Sequence, residues 1–345
     1  MSPRRRLAIT REFESGSAVY RLNGRRIRRA QEIERLNALA VPPAWTDVEI
    51  ARSPRARILA RGLDAAGRVQ AIYHPAFRRK QDRAKFDRVL RFAAVLPALR
   101  DQIDRDLRRR SLNRERVVAC VLKIVDEEYF RIGNPEYARR HRSYGVTTLR
   151  RTHVRTGSTS VVFDFIGKSG KRHTRRVTDP RIARLMTRLA ELPGPEIFRY
   201  LEDDDSGPPG SSGGDGQATV RSVESRHVNA YVKRHAGEEF SVKDFRTWGG
   251  TLMAASALVA VDPAELVTPT SRAAVQRRIV QEVAERLGNT PAVTRGSYID
   301  PRVFAAAEDP PALDRVRRAR SRMRPRKHFS VDEQTAVALL SGRSG

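Results

Sequence analysis

The residues of this 345-residue chain that could do chemistry lie mainly in two segments. One is Lys243-Asp244-Phe245-Arg246-Thr247-Trp248-Gly249-Gly250-Thr251; the other is Leu287-Gly288-Asn289-Thr290-Pro291-Ala292-Val293-Thr294-Arg295-Gly296-Ser297-Tyr298-Ile299. They are what remains when the usual motifs are sought and missed. No G-x-x-x-x-G-K-[ST] loop cradles a nucleotide, no H-E-x-x-H pair holds zinc, no G-x-S-x-G elbow exposes a serine, and His and carboxylates do not cluster at ligand spacing. Cys120 stands alone, which excludes an intramolecular disulfide and a cysteine-based zinc finger. Positive charge is plentiful instead: 67 Lys and Arg face 40 Asp and Glu, a formal net charge of +27. Such a chain wants a polyanion, and because its basic residues run from Arg4 to Arg343, a neutral enzyme with one basic arm is disfavoured. The longest apolar run, Leu252 to Val261, is too short for a membrane span and reads as a buried helix. The basic start, Met1 to Arg6, lacks a following apolar region, so a cytoplasmic protein is expected.

The elements that must position those residues follow from periodicity. Between about Ala18 and Pro97, Val48-Glu49-Ile50 and Arg57-Ile58-Leu59-Ala60 alternate around Gly62 and Gly67, which predicts a small sheet-containing N-terminal domain. Phe86, Val89, Leu90 and Ala93 recur at helical spacing, and Pro97 should stop that helix, so the domain boundary is placed there, giving 1–97 and 98–345. Val117, Val118, Val121, Leu122 and Val125 predict a buried helix within 113–132. The period then changes to two: Val161, Phe163 and Phe165 lead into Gly167-Lys168-Ser169-Gly170, and Lys171 to Val177 returns, a β-hairpin with Lys168 at its tip. Asp179-Pro180 supplies an N-cap and a first-turn proline for a helix that ends before Pro193-Gly194, and helices dominate thereafter. The Gly- and Ser-rich stretch 203–218 reads as a flexible surface loop, and the basic run Val316 to Lys327 as a solvated or DNA-facing tail. Trp45 and Trp248 read as packing residues. The fold class is therefore α+β, a small sheet-containing domain followed by a mainly helical one with a small hairpin sheet.

The two segments resemble the active-site arginine and tyrosine motifs of the type IB DNA topoisomerases, in the short form shared by bacteria and poxviruses. The resemblance extends upstream, in matching order, to Phe130-Arg131-Ile132-Gly133 with Tyr137, to Phe165-Ile166-Gly167-Lys168, to Tyr73-His74-Pro75 and to Val41-Pro42-Pro43-Ala44-Trp45. It implies a catalytic domain like that of the tyrosine recombinases, a C-shaped clamp closing around double-stranded DNA, and a monomer that works in the nucleoid of a bacterium with neither cofactor nor metal.

It also implies roles. Tyr298 would be the nucleophile, since a phosphotyrosyl link conserves the energy needed for resealing. Arg131 and Arg246 would answer the charge that gathers on the attacked phosphate, with a planar fork that needs no metal. Lys168 would protonate the leaving 5′-oxygen. Asn289, nine residues before the tyrosine, stands where many relatives have histidine; an amide can donate a hydrogen bond but supplies no proton, so electrostatic stabilisation is the role left to it. Tyr73 and Tyr137 would lie near DNA. Apart from the resemblance, the basic stretch of Lys80, Arg83, Lys85 and Arg88 fits a solvated helix face or a phosphate-contacting one, and phosphate contact is favoured. Two rivals remain. Tyrosine recombinases use the same residue types but usually carry histidine where this chain has Lys243 and Asn289, and a non-catalytic architectural DNA-binding protein would leave the ordered motifs unexplained.

Overall fold

Short strands open the chain, because apolar residues recur at alternate positions between turn residues. The computed structural model describes residues 7–202 and 219–342, less the side chains of Asp82 and Arg83. Strands β1 (Ile9–Glu14), β2 (Ser17–Leu22) and β3 (Arg25–Arg26) precede helix α1 (Ala30–Asn37). With β4 (Thr46–Ile50), β5 (Ile58–Leu63) and β6 (Val69–Tyr73) they make a six-stranded antiparallel sheet of order β3-β2-β1-β4-β5-β6. In β4 the alternation is plain: Val48 and Ile50 are buried, while Glu49 between them pairs with Arg61 of the neighbouring strand at 2.6 Å. Ile9, Tyr20, Leu36, Val48, Ile50 and Ala60 are the centre of this core, and Trp45 packs against it.

Helix α2 (Pro75–Leu107) corrects the sequence reading, for Pro97 lies inside it and does not end it. The proline removes one backbone hydrogen bond and costs about 3 kcal/mol in a helix interior. Phe92, Ala93, Leu96, Leu99 and Ile103 are buried on both sides of it, and each large apolar side chain returns roughly 1.5–3 kcal/mol, so packing carries the helix through. The chain divides into two compact units between Asp87 and Arg88, short of the boundary expected at residue 97.

In the second unit α3 (Arg114–Glu128) starts where the Asn113 side chain accepts from the Arg116 N–H at 3.0 Å, and it buries the five apolar residues named for it. After α4 (Pro135–His141), strands β7 (Val154–Thr156), β8 (Val161–Ile166) and β9 (Arg172–Val177) form an antiparallel sheet in that order. Val161, Phe163 and Phe165 face inward along β8, and Lys168 to Gly170 turn the chain into β9. Asp179 caps α5 (Pro180–Glu191) as the Asp-Pro pair predicts. A pair of strands that the sequence reading missed, β10 (Arg199–Glu202) and β11 (Thr219–Ser222), run antiparallel on either side of stretch 203–218, which itself lies outside the described residues.

Helices α6 (Ser225–Ala236), α7 (Val242–Ala260), α8 (Pro269–Leu287), α9 (Pro291–Ser297), α10 (Pro301–Ala305), α11 (Pro310–Arg320) and α12 (Val331–Ser341) follow. No helix of the described residues is long and apolar enough to cross a membrane. The basic run Val316 to Lys327 is not a tail. It includes the end of α11, where Leu313 and Val316 are buried and Arg317 donates to the carbonyls of Val259 and Val261 at 3.1 and 2.5 Å, at the end of α7. Two apolar residues three apart among arginines are enough to dock a helix, and arginines suit the free carbonyls of another helix's last turn.

Arg100 ties these helices together. Its guanidinium forks onto Asp126 of α3 at 2.6 and 2.9 Å and reaches Glu333 of α12 at 2.8 Å, while Glu333 also accepts from the Trp248 indole of α7 at 3.2 Å. Both carboxylates are almost wholly buried. Replacing Arg100 by Met should therefore cost roughly 3–5 kcal/mol, the usual penalty for stripping one partner from a buried pair. Urea unfolding measures this, and a variant within 1 kcal/mol (about) of the parent would show that the hub is dispensable.

Candidate active site

Segments far apart in sequence meet beside α7, and the smallest residues decide how closely. The start of α7 is held by Asp244, which accepts from the Ser241 N–H at 2.8 Å, from its hydroxyl at 3.0 Å and from Arg88 at 3.0 Å. Arg246 follows within the first turns. Beyond it, Gly249 and Gly250 offer bare backbone: a β-carbon on Gly249 would overlap the Tyr129 ring, and one on Gly250 would lie 2.5 Å from the Tyr298 carbonyl oxygen. The Thr251 hydroxyl donates to that carbonyl at 3.3 Å and accepts from the Asp300 N–H at 3.1 Å. The Gly-Gly-Thr sequence is thus a seat for both the end of α3 and the tyrosine segment.

Asn289 and Tyr298 are placed by helix ends. Gly288, in the left-handed region at φ +62°, closes α8, and the Asn289 N–H turns back to the Ala284 carbonyl at 2.9 Å. Thr290 caps α9 with Pro291 in its first turn, and Tyr298 closes that helix through its N–H to the Thr294 carbonyl at 2.9 Å. One short helix therefore sets the spacing of the two side chains.

The cluster is positive, and among the described residues no carboxylate pairs with Arg131 or Arg246. Arg246 is 5% exposed; it donates to the Tyr129 carbonyl and, at 2.8 Å, to the Leu287 carbonyl, and its guanidinium carbon lies 5.2 Å from the centre of the Tyr298 ring. Arg131 donates to the Asn289 side-chain oxygen. Burial, with the like charge of Arg131, pulls the Arg246 pKa down to about 10, and burial lowers Arg131 too. Arg100 makes the contrast, because there Asp126 and Glu333 outweigh burial and raise the pKa. Arg100 has its carboxylates; Arg246 and Arg131 have carbonyl and amide oxygens. Burial pushes the Tyr298 phenol up, but Arg246, then Arg131 and Lys243, outweigh it and hold it below its ordinary value. Two buried donors of the cluster, Arg246 Nε and Asn289 Nδ2, have no hydrogen-bond acceptor among the described residues.

Arg131, Arg246, Asn289 and Tyr298 are thus brought together. Lys168 is exposed at the hairpin tip and makes no hydrogen bond or ion pair among the described residues. The hairpin touches the cluster through two residues that sequence reasoning passed over, Lys171, which donates to the Asn289 carbonyl at 2.7 Å, and His173, whose ring lies against Gly288.

Known proteins share this chain's sequence along most of its length. Residues 74–309 match the family described as the catalytic core of eukaryotic DNA topoisomerase I, and residues 19–64 match the N-terminal domain of bacterial DNA topoisomerase IB. The DNA topoisomerase 1B of Acanthamoeba polyphaga mimivirus is 32% identical over 272 residues, 78% of either chain. The chain belongs to the type IB DNA topoisomerases. More distant relatives include the DNA topoisomerase 1B of vaccinia virus strain Copenhagen, 22% identical over 82% of this chain and 84% of its own, and DNA topoisomerase 1 of Mycosarcoma maydis, 21% identical over 51% of this chain and 18% of its own. The protein is a topoisomerase, and its substrate is DNA.

Of the residues expected near DNA, Tyr73 is 39% exposed and stacks on Phe77 at 5.5 Å, and Lys80 is exposed. Lys85 lies over the Phe86 ring at 4.0 Å. Tyr137 is half-buried on α4, its ring 5.6 Å from that of His141, and the Arg83 side chain lies outside the described residues. Arg88 is half-buried, and its Nε donates to the buried Asp244 at 3.0 Å.

The seat on α7 can be tested directly. Alanine for glycine in a helix ordinarily adds about 1 kcal/mol of stability. Gly250→Ala should instead destabilise the topoisomerase and slow cleavage of a duplex oligonucleotide, since the Tyr298 backbone must move. Urea unfolding and a cleavage assay check both, and a stabilised variant cutting at the parental rate would contradict the seat.

Proposed function

We propose that Tyr298 performs the strand cleavage. Its hydroxyl gives up its proton to water as the oxygen attacks a backbone phosphorus of duplex DNA, a phosphotyrosyl bond forms to the 3′ side, the bond to the 5′-oxygen breaks, and that oxygen takes a proton from Lys168, which water replaces. Arg131 and Arg246 hold the non-bridging oxygens through the transition state, and the Asn289 amide donates a further hydrogen bond. The free 5′-OH end swivels about the intact strand, relaxing supercoils of either sign, and attack by that hydroxyl reverses the step. The observation that carries this reading is the Tyr298 ring 5.2 Å from the buried Arg246 guanidinium, with the half-buried Arg131 bonded to Asn289, neither arginine being paired with a carboxylate among the described residues; their charges hold the phenol below its ordinary pKa. The unpaired Arg246 Nε and Asn289 Nδ2 support it, since buried donors without acceptors are costly and a phosphate oxygen would satisfy them.

Permanent positive charge supplied by the chain itself makes metal and ATP unnecessary in this scheme. The same reading takes the helical unit with its three-stranded sheet as the catalytic fold shared with tyrosine recombinases, and the N-terminal unit, expected as residues 1–97, as the other half of a clamp on the duplex. Exposed Tyr73 and Lys80 support a DNA-contacting role for that unit. The enzyme acts as a monomer on nucleoid DNA.

Purified enzyme should relax a supercoiled plasmid in excess EDTA without ATP, and Tyr298→Phe should abolish relaxation while leaving duplex binding and its salt dependence in place. Relaxation by Tyr298→Phe near the parental rate would remove the nucleophile assignment, and single-turnover cleavage that needs magnesium would remove the metal-free scheme.

Lys168→Ala should slow single-turnover cleavage roughly 10²–10⁴-fold, the contribution of a positioned general acid. A sulfur in place of the bridging 5′-oxygen leaves as a thiolate without a proton, so that substrate should restore most of the rate. Arg131→Ala and Arg246→Ala should recover far less. Equal recovery by all three variants, or none by Lys168→Ala, would reassign the acid.

A further inference from the structure

Two lysines flank the hairpin tip, and they are differently placed. Lys168 is exposed and unpartnered, whereas Lys171, three residues on, donates from Nζ to the main-chain carbonyl of Asn289 at 2.7 Å. The tip between them is closed by the Gly167 N–H, which donates to the Lys171 carbonyl at 2.7 Å, so whatever holds Lys171 also holds the turn that bears Lys168. A second contact lies beneath. The His173 ring stacks on Phe165 with centroids 5.1 Å apart and meets Phe130, the neighbour of Arg131, edge-on at 6.1 Å. A β-carbon at Gly167 would come within 2.7 Å of that ring and one at Gly288 within 2.5 Å, so the imidazole fills the space between the hairpin and the Gly288-Asn289 turn. Burial, then the charges of Arg175, Arg246, Arg131 and Lys171, holds His173 at about 4, so at neutral pH it packs as an uncharged ring.

We propose that Lys171 is a positioning residue for cleavage: its bond to the Asn289 carbonyl latches the hairpin, fixing the tip from which Lys168 acts against the residue whose amide faces the same phosphate. The proposal rests on the reading of Lys168 as the acid. A single part-buried lysine-to-carbonyl bond contributes only about 1 kcal/mol to folding, so its loss leaves the protein folded. The geometry of proton delivery is more sensitive, since a displacement of roughly 1 Å can cost 10²-fold in rate.

The experiment is single-turnover cleavage of duplex oligonucleotides with oxygen or sulfur at the 5′ bridging position, by full-length enzyme carrying Lys171→Ala, Lys171→Arg, Lys168→Ala or both alanines. Lys171→Ala should be slowed about 10- to 10²-fold on oxygen and be close to parental on sulfur, with duplex binding unchanged. Lys171→Arg should recover most of the oxygen rate, because arginine can donate to a carbonyl although it is a poor acid. The double variant should be no slower than Lys168→Ala, since a latch has nothing to position once the acid is gone. A parental oxygen rate for Lys171→Ala, an equal defect on sulfur, or defects that multiply in the double variant would overturn the latch. If Lys171→Arg is as slow as Lys171→Ala while sulfur rescues both, Lys171 itself carries the proton, and the positioning role is wrong. Failure of sulfur to rescue Lys168→Ala is a separate result that removes the acid reading and the latch with it.

Discussion

A buried positive charge without a carboxylate is the constraint around which this catalytic unit is arranged. Removing a guanidinium from water costs several kcal/mol unless an opposite charge compensates it. Arg246 is 5% exposed and meets the Tyr129 and Leu287 carbonyls; Arg131 meets the Asn289 amide. Dipoles hold the side chains in place but leave their charge free to act at a distance, and the phenol of Tyr298 registers it. A carboxylate in the same position would have stabilised the fold and neutralised the field. Arg100 shows that the protein uses that solution where only stability is at stake.

Keeping such a cluster assembled places unusual demands on the backbone. Tyr129 ends α3 in the left-handed region at φ 55°, Gly288 ends α8 at φ +62°, and α7 carries two adjacent glycines in its interior. Glycines weaken a helix. Here they let the Tyr129 ring and the Tyr298 carbonyl approach α7 more closely than any side chain would allow, which sets Arg246 between the two segments it must serve. The stability lost locally is offset by burial of Phe245, Trp248, Leu258 and neighbouring apolar residues along the same helix and by the Arg100 hub at its side.

The hairpin stands apart from this rigid arrangement. Its base is fixed by Phe163 and Phe165 in the core and by the His173 wedge, but its tip is exposed. Lys168, in the mechanism proposed the proton donor that meets a DNA oxygen, is thereby kept outside the closed cluster of guanidiniums. In the mechanism proposed, charge stabilisation is built into the fold while proton delivery depends on one short turn.

Much of this was legible in the sequence because it is local. The hairpin with Lys168 at its turn, the Asp179-Pro180 helix start and the buried α3 follow from periodicity and capping, and the ordered motifs around Arg131, Arg246, Asn289 and Tyr298 carried the family. Where local signals and packing disagreed, packing won: buried apolar residues on both sides carry α2 through Pro97, and Leu313 and Val316 dock a stretch whose charge suggested a tail. What only the tertiary structure decided is which neighbours each side chain meets. The motifs single out Arg246 and Lys168, but no run of residues shows that Arg100 is met by carboxylates and Arg246 by carbonyls, or that Lys171 is bonded to the Asn289 carbonyl while Lys168 is exposed. Their difference lies in carboxylates, carbonyls and glycines more than twenty (roughly) residues away along the chain, and chain-distant contacts are set by the packing of whole elements, to which no sequence window is sensitive.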